Sequence, residues 1–358
     1  MEAIGNTGRQ PGRRPSGKHR TGGSTRAADP GALSRSDDGP RRGLVLGGGG
    51  VLGAAWMVGA LSAIEDSTGV DLRSFDYILG TSAGSVMAAL LGAGLNASQL
   101  RDHQLGRSID GPLADHSWDY DTATGGSRPQ LPRLGVGSPA MVRNSVRRLR
   151  RMPPTAVLSA LLPVGRGSLD GIGELIGAVT GPDAGWSPHP GVWIVAMDYE
   201  TGRRIPFGRP GEPRPSLPQA VMASCAIPGW FAPVVVDGHR YVDGGTCSAT
   251  SVDLMGGLDL DEVYVAAPMV SFETDRPRPL LSRLERRWRR RCTRRCLHEA
   301  QKLHAQGTEV TILGPGPEDL AAIGANVMDT GRRLRVLETS LRTSAATLAR
   351  GRSWADAG

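Results

Sequence analysis

Twice within about fifty residues the chain runs from a short apolar strand through a glycine-rich turn into a helix apolar on nearly every side. The first unit is Gly43-Leu44-Val45-Leu46, the glycines Gly47 to Gly50, and a helical stretch from Ala54 to Ile64. The second is Tyr77-Ile78-Leu79-Gly80, then Thr81-Ser82-Ala83-Gly84, and a helix from Ser85 to about Ala93. A helix without a polar face must be covered all round. Strand, turn and buried helix in this order imply α/β layers on a largely parallel sheet. Further strands are expected at Val192–Ala196, Val234–Val236, Val263–Ala266 and Val310–Leu313, and a helix near Ser138-Pro139, with Ser as its cap.

Residues 1–42 are rich in Gly, Pro, Ser and Arg, with almost no apolar run. Such a stretch cannot bury enough surface to offset its ordering entropy and reads as a disordered basic tail. It lacks the apolar core of a signal peptide. No apolar stretch approaches the ~20 residues of a membrane-spanning helix. The expected location is therefore cytoplasmic, with peripheral attachment at the inner membrane face if a basic helix binds lipid. The remaining ~315 residues suit one large domain. Within it, 43–260 reads as the core, 98–190 as an insertion able to cap a site, and 261–358 as its C-terminal part. Cys225, Cys247, Cys292 and Cys296 make neither a disulfide framework nor a zinc pattern, so free thiols and no metal are expected.

Gly80-Thr81-Ser82-Ala83-Gly84 is a G-x-S-x-G between an apolar strand and an apolar helix. Small residues two positions either side of the serine permit the abrupt turn that exposes a nucleophile. Gly48-Gly49-Gly50-Val51-Leu52-Gly53 is a G-x-G-x-x-G at the preceding strand-to-helix junction. Bare backbone amides there can gather an anion, either a dinucleotide pyrophosphate or the oxyanion of acyl transfer. The dinucleotide reading needs an acidic residue ending the next strand. Asp71 follows no strand and Asp76 precedes one, while the next strand ends in the serine turn, so the oxyanion reading accounts for both loops. Tyr241-Val242-Asp243-Gly244-Gly245 places an acid at a strand end; by itself it reads as a turn, and it gains meaning only beside Ser82.

These three blocks, with Ala223-Ser224-Cys225-Ala226-Ile227-Pro228 before the aspartate, resemble the signature blocks of the patatin-like phospholipases of bacterial type over roughly Gly43–Leu254. The resemblance implies a three-layer α/β/α sandwich with a central, largely parallel sheet. It implies a Ser82–Asp243 dyad, an oxyanion hole from Gly48, Gly49 and Gly50, motif glycines Gly53, Gly80, Gly84, Gly244 and Gly245, a lipid ester as substrate, and no cofactor. The chain departs from the common pattern at Leu52, where many members have Arg, and at Trp56, where many have His. One rival is an esterase with a Ser-His-Asp triad, for which His239, His298 and His304 are the available histidines. Another is a lipid-binding relative that has lost catalysis.

Charge is concentrated in Leu280–Arg295, which holds eight arginines and one glutamate against a net +7 for the whole chain. Leu281, Leu284, Trp288 and Cys292 recur there at helical spacing. One reading of Arg283–Arg295 is a basic amphipathic helix on an anionic membrane. The favoured reading is a surface helix that packs this stripe on the domain and leaves its arginines solvated or paired. Nucleic acid is not expected as a partner, because Trp288 is the sole aromatic in the basic run.

Overall fold

In the computed structural model the described residues are 39–349, apart from 115, 117, 119–122, 127, 132–134, 149–152, 182–184, 274 and 276. The tail up to residue 38 lies outside them. Eight strands form one sheet: β1 (Arg42–Leu46), β2 (Tyr77–Thr81), β3 (Val192–Asp198), β4 (Arg204–Phe207), β5 (Val234–Val236), β6 (His239–Asp243), β7 (Glu262–Ala266) and β8 (Glu309–Leu313). Their spatial order is β5-β6-β3-β2-β1-β7-β8, with β4 beside β3. The five strands from β3 to β8 are parallel, while β4, β5 and β6 pair antiparallel.

The helices described are α1 (Gly50–Thr68), α2 (Ala83–Gly92), α3 (Ala97–Gln104), α4 (Pro139–Arg148), α5 (Pro154–Leu161), α6 (Asp170–Thr180), α7 (Leu217–Cys225), α8 (Leu280–His304), α9 (Pro317–Ile323) and α10 (Arg333–Ala349). Alternation along the central strands assigns them to layers. Leu44, Leu46, Ile78 and Ile194 face a core built with α1, α2, α3, α6 and α7. Val45, Leu79, Trp193 and Val265 face the other core, which includes Cys296, Ala300 and Leu303 of α8. The result is an α/β/α sandwich. Ser138 caps α4 as expected, its Oγ accepting the Met141 amide at 3.2 Å. No described helix is long and apolar enough to cross a membrane.

The favoured reading of α8 is reversed. Leu281 is 72% exposed, Leu284 56% and Trp288 38%. The helix packs instead through Arg286, Arg289, Thr293 and Cys296. Two arginines can be buried because each is matched: Arg286 donates to Asp275 at 2.7 and 2.9 Å, and Arg289 donates to Glu285 and the Pro268 carbonyl. A buried cation is tolerable only when its donors are satisfied in this way.

Candidate active site

The sheet topology brings Ser82 and Asp243 together. Any strand has two edges. β4 holds one edge of β3 from Ile194 to Met197. β2 and β6 therefore share the other, β2 ending at Thr81↔Val195 and β6 ending at Asp243↔Ala196. The two strands meet end to end on one edge, and Ser82 follows directly where β2 stops. Ser82 and Asp243 line one cleft, with the Ser82 side chain near enough to act on the Asp243 carboxyl.

Ser82 sits at φ 53°, ψ −123°, a left-handed backbone for a residue with a side chain. Such strain persists only when the surroundings impose it. Here Gly80 and Gly84 close against each other. A Cβ on Gly80 would lie 2.4 Å from the Gly84 carbonyl oxygen, and one on Gly84 would lie 2.0 Å from the Leu46 carbonyl oxygen. The Ser82 amide donates to Ser224 Oγ at 2.8 Å, and that hydroxyl donates to the Val195 carbonyl at 2.6 Å. Ser224 thus ties the serine turn to β3. The sequence gives no hint of this task, because a serine in a run of small residues carries no signal of its partner.

Asp243 is buried, and burial raises its carboxyl from 3.8 to about 6 against the lowering effect of the nearby Ser82 side chain and the Gly245 amide. The Gly245 amide donates to Oδ1 at 2.7 Å. Gly244 runs so near β3 that a Cβ would stand 2.6 Å from the Val195 carbonyl oxygen. Farther along, the buried Glu299 of α8 accepts from Ser248, Thr250, the Val252 amide and Arg295. Glu299→Ala would leave these donors without their acceptor, so a loss of about 3 kcal/mol is expected, read as a lower denaturation midpoint.

The glycine loop stands over the serine. A Cβ on Gly48 would come within 3.2 Å of Ser82 Cβ, and one on Gly49 within 2.7 Å of Pro268; Gly53 packs on the same proline. The expectation of three free amides is corrected at Gly48, whose N–H is spent on the Ala249 carbonyl at 2.8 Å. Among the described residues the Gly49 and Gly50 amides have no acceptor. Leu52 and Trp56 are buried in the α1 core, so neither presents charge to the loop. His239, His298 and His304 are solvent-exposed and line neither cavity at Ser82.

Two cavities meet at Ser82. An open cleft of about 300 Å³ holds Ser82, Asp243 and the glycine loop, bordered by Leu158 and Leu162 beside α5 and by Trp288 of α8. A narrower, mostly apolar cavity of about 80 Å³ runs inward between α2 and α6, past Ala83, Met87, Leu90 and Ile172. His103 also lines it, and burial lowers its ring to about 4, so it is neutral at physiological pH. Among the described residues no group of three or more His, Cys, Asp or Glu could hold a metal ion.

A family model for the patatin-like phospholipases matches residues 44–255. The chain belongs to the patatin-like phospholipases. Among solved structures it is similar to VipD from Legionella pneumophila, at 14% identity and a TM-score of 0.37 over 86% of this chain and 70% of that one. It is also similar to the type III effector protein ExoU, at 19% identity and a TM-score of 0.32 over 87% of this chain and 53% of that one. The patatin-like match spans both glycine loops, the serine turn and the aspartate, and ends at the last residue of the short 3₁₀ turn Val252–Met255.

Proposed function

We propose that this patatin-like phospholipase hydrolyses the carboxylic ester bonds of lipids, in the manner of a phospholipase A, through a Ser82–Asp243 dyad and an acyl-enzyme. The observation that carries the reading is the juxtaposition of the strained Ser82 and the buried Asp243 in one cleft beside the glycine loop. Ser82 Oγ attacks the ester carbonyl carbon as its proton passes to the Asp243 carboxylate. Charge collects on the carbonyl oxygen, where the Gly49 and Gly50 amides and the positive end of α2 favour it. The C–O bond to the alcohol breaks and Asp243 returns the proton to the leaving oxygen. Water then attacks the acyl-serine as Asp243 takes its proton, the bond from the acyl carbon to Ser82 Oγ breaks, and Asp243 returns the proton to Ser82 as the fatty acid departs. Every proton in the scheme is carried by the chain's own groups.

The apolar inner cavity is the natural place for the acyl chain, and the open cleft for the head group. In this reading α5 and its neighbours, within 98–190, form part of the wall over the cleft. α3 and α6 of the same stretch instead pack in the main core.

The pH profile is a direct test. A base must be ionised, and Asp243 is ionised only above about 6. On a water-soluble ester, log kcat/KM is expected to climb by one per pH unit below about 6 and to level off above it. A rate that is flat from pH 5 to 8 would exclude Asp243 as the base. Esters and phospholipids of graded chain length, with Ser82→Ala as the blank, would define the substrate.

A further inference from the structure

Apolar side chains stand open to solvent along α8, the helix whose Trp288 borders the cleft. Leu280 and Leu281 are 69% and 72% exposed, and Leu284 is 56%. On the cleft border itself, Leu158 and Leu162 are 61% and 41% exposed and Trp288 is 38% exposed. Trp288, Leu158 and Leu162 border the cleft that contains Ser82 and Asp243, so the exposed apolar rim is continuous with the site. Scattered exposed leucines need no explanation, but a contiguous rim around a cavity does.

Charge runs alongside. Leu280, Leu284 and Trp288 recur every four residues, which aligns them on one strip of α8. Arg283, Arg287 and Arg291 recur at the same interval on the neighbouring strip, with Arg290 and Arg294 beyond. These five are exposed, and among the described residues none has a carboxylate partner. Arg286, Arg289 and Arg295 of the same helix are all paired. The helix therefore sorts its arginines into a set paired with carboxylates and an exposed set that has none among the described residues.

We propose that this rim docks on the surface of an anionic lipid bilayer. The leucines and Trp288 enter the boundary between head groups and acyl chains, and the outer arginines lie against lipid phosphates. An acidic nucleic acid or protein would account for the arginines but not for the leucines. The orientation turns the cleft toward the membrane, so a lipid can pass from the bilayer to Ser82 without crossing water. The placement gains its purpose from the proposed lipid chemistry, but the docking itself does not depend on Ser82.

The test uses the full chain carrying Ser82→Ala, sedimented with vesicles of phosphatidylcholine alone or with about a third phosphatidylglycerol. Partition is expected to rise at least about tenfold with the anionic lipid and to fall as salt screens it. Leu280→Asp with Leu284→Asp should lower partition about tenfold without shifting thermal unfolding, since both side chains are already exposed. Arg287→Ala, Arg290→Ala and Arg294→Ala together should abolish the preference for anionic lipid. In the otherwise unaltered chain, both sets should leave hydrolysis of a water-soluble ester unchanged and slow that of vesicle lipid. Binding indifferent to lipid charge, or unmoved by the leucine changes, would overturn the proposal. So would a leucine variant that dissociates an oligomer yet binds vesicles as before. Vesicle binding by a chain that hydrolyses no ester would leave the docking standing and remove the proposed chemistry.

Discussion

Asp243→Asn is expected to reduce ester hydrolysis by at least about 10⁴-fold, on the scale seen when a member of a serine-hydrolase constellation is removed. The same change is expected to make the protein more stable at pH 8. Asn keeps the shape and can still accept from the Gly245 amide, but it carries no charge to bury. The fold holds the Asp243 carboxyl at about 6, above its ordinary 3.8, because burial disfavours the anion. A raised acid contributes stability that is full below its unfolded value and lost as pH rises through its folded value. Above about pH 6 the native chain therefore carries a charge whose burial costs up to about 3 kcal/mol. Denaturant titrations of both proteins at pH 5 and pH 8 would reveal it, with the gap between them widening at the higher pH. An inactive variant no more stable than its parent at pH 8 would mean that Asp243 is not charged in the fold, and the base would have to be sought elsewhere.

The second large effect is expected at Gly84. A methyl there would sit 2.0 Å from the Leu46 oxygen and 2.4 Å from its carbon, both backbone atoms of β1 that cannot swing aside. Gly84→Ala must therefore push α2 off the sheet at the point where Ser82 is held. A loss above about 4 kcal/mol, or failure to fold, is expected. Gly177 in α6 is the control, since nothing lies within 4 Å of its added Cβ. Gly177→Ala should stabilise by up to about 1 kcal/mol through helix propensity and the unfolded chain. Opposite signs at the two positions in one unfolding series would show that contact, and not glycine content as such, sets the cost.

The central strands and the first two helices were legible because burial on both sides leaves an unbroken apolar run, and because Gly80 and Gly84 mark the turn between them. Ser82 stands out as a candidate through the spacing around that turn, whereas Asp243, 161 positions on, is picked out only by the family resemblance. Three features were not. β4 is only four residues long and contains Pro206, so it carries little strand signal; its place comes from pairing with β3. The Gly48 amide looked as free as its neighbours, because its acceptor, Ala249, lies about two hundred residues away. The orientation of α8 is opposite to that expected, because a Leu/Trp stripe in a basic helix ordinarily packs inward. What overrides it here is the pairing of Arg286 with Asp275 and of Arg289 with Glu285 and Pro268. The Asp275 and Pro268 partners lie in a loop outside the helix, where the stripe gives no hint of them.

The most direct measurement is intact-protein mass spectrometry after exposure to a fluorophosphonate, followed by peptide mapping. The expected result is one adduct, on Ser82, formed quickly by the unaltered chain and at least about a hundredfold more slowly by Asp243→Asn. An unlabelled Ser82 in folded protein, or an adduct that forms equally fast without the carboxylate, would contradict the account.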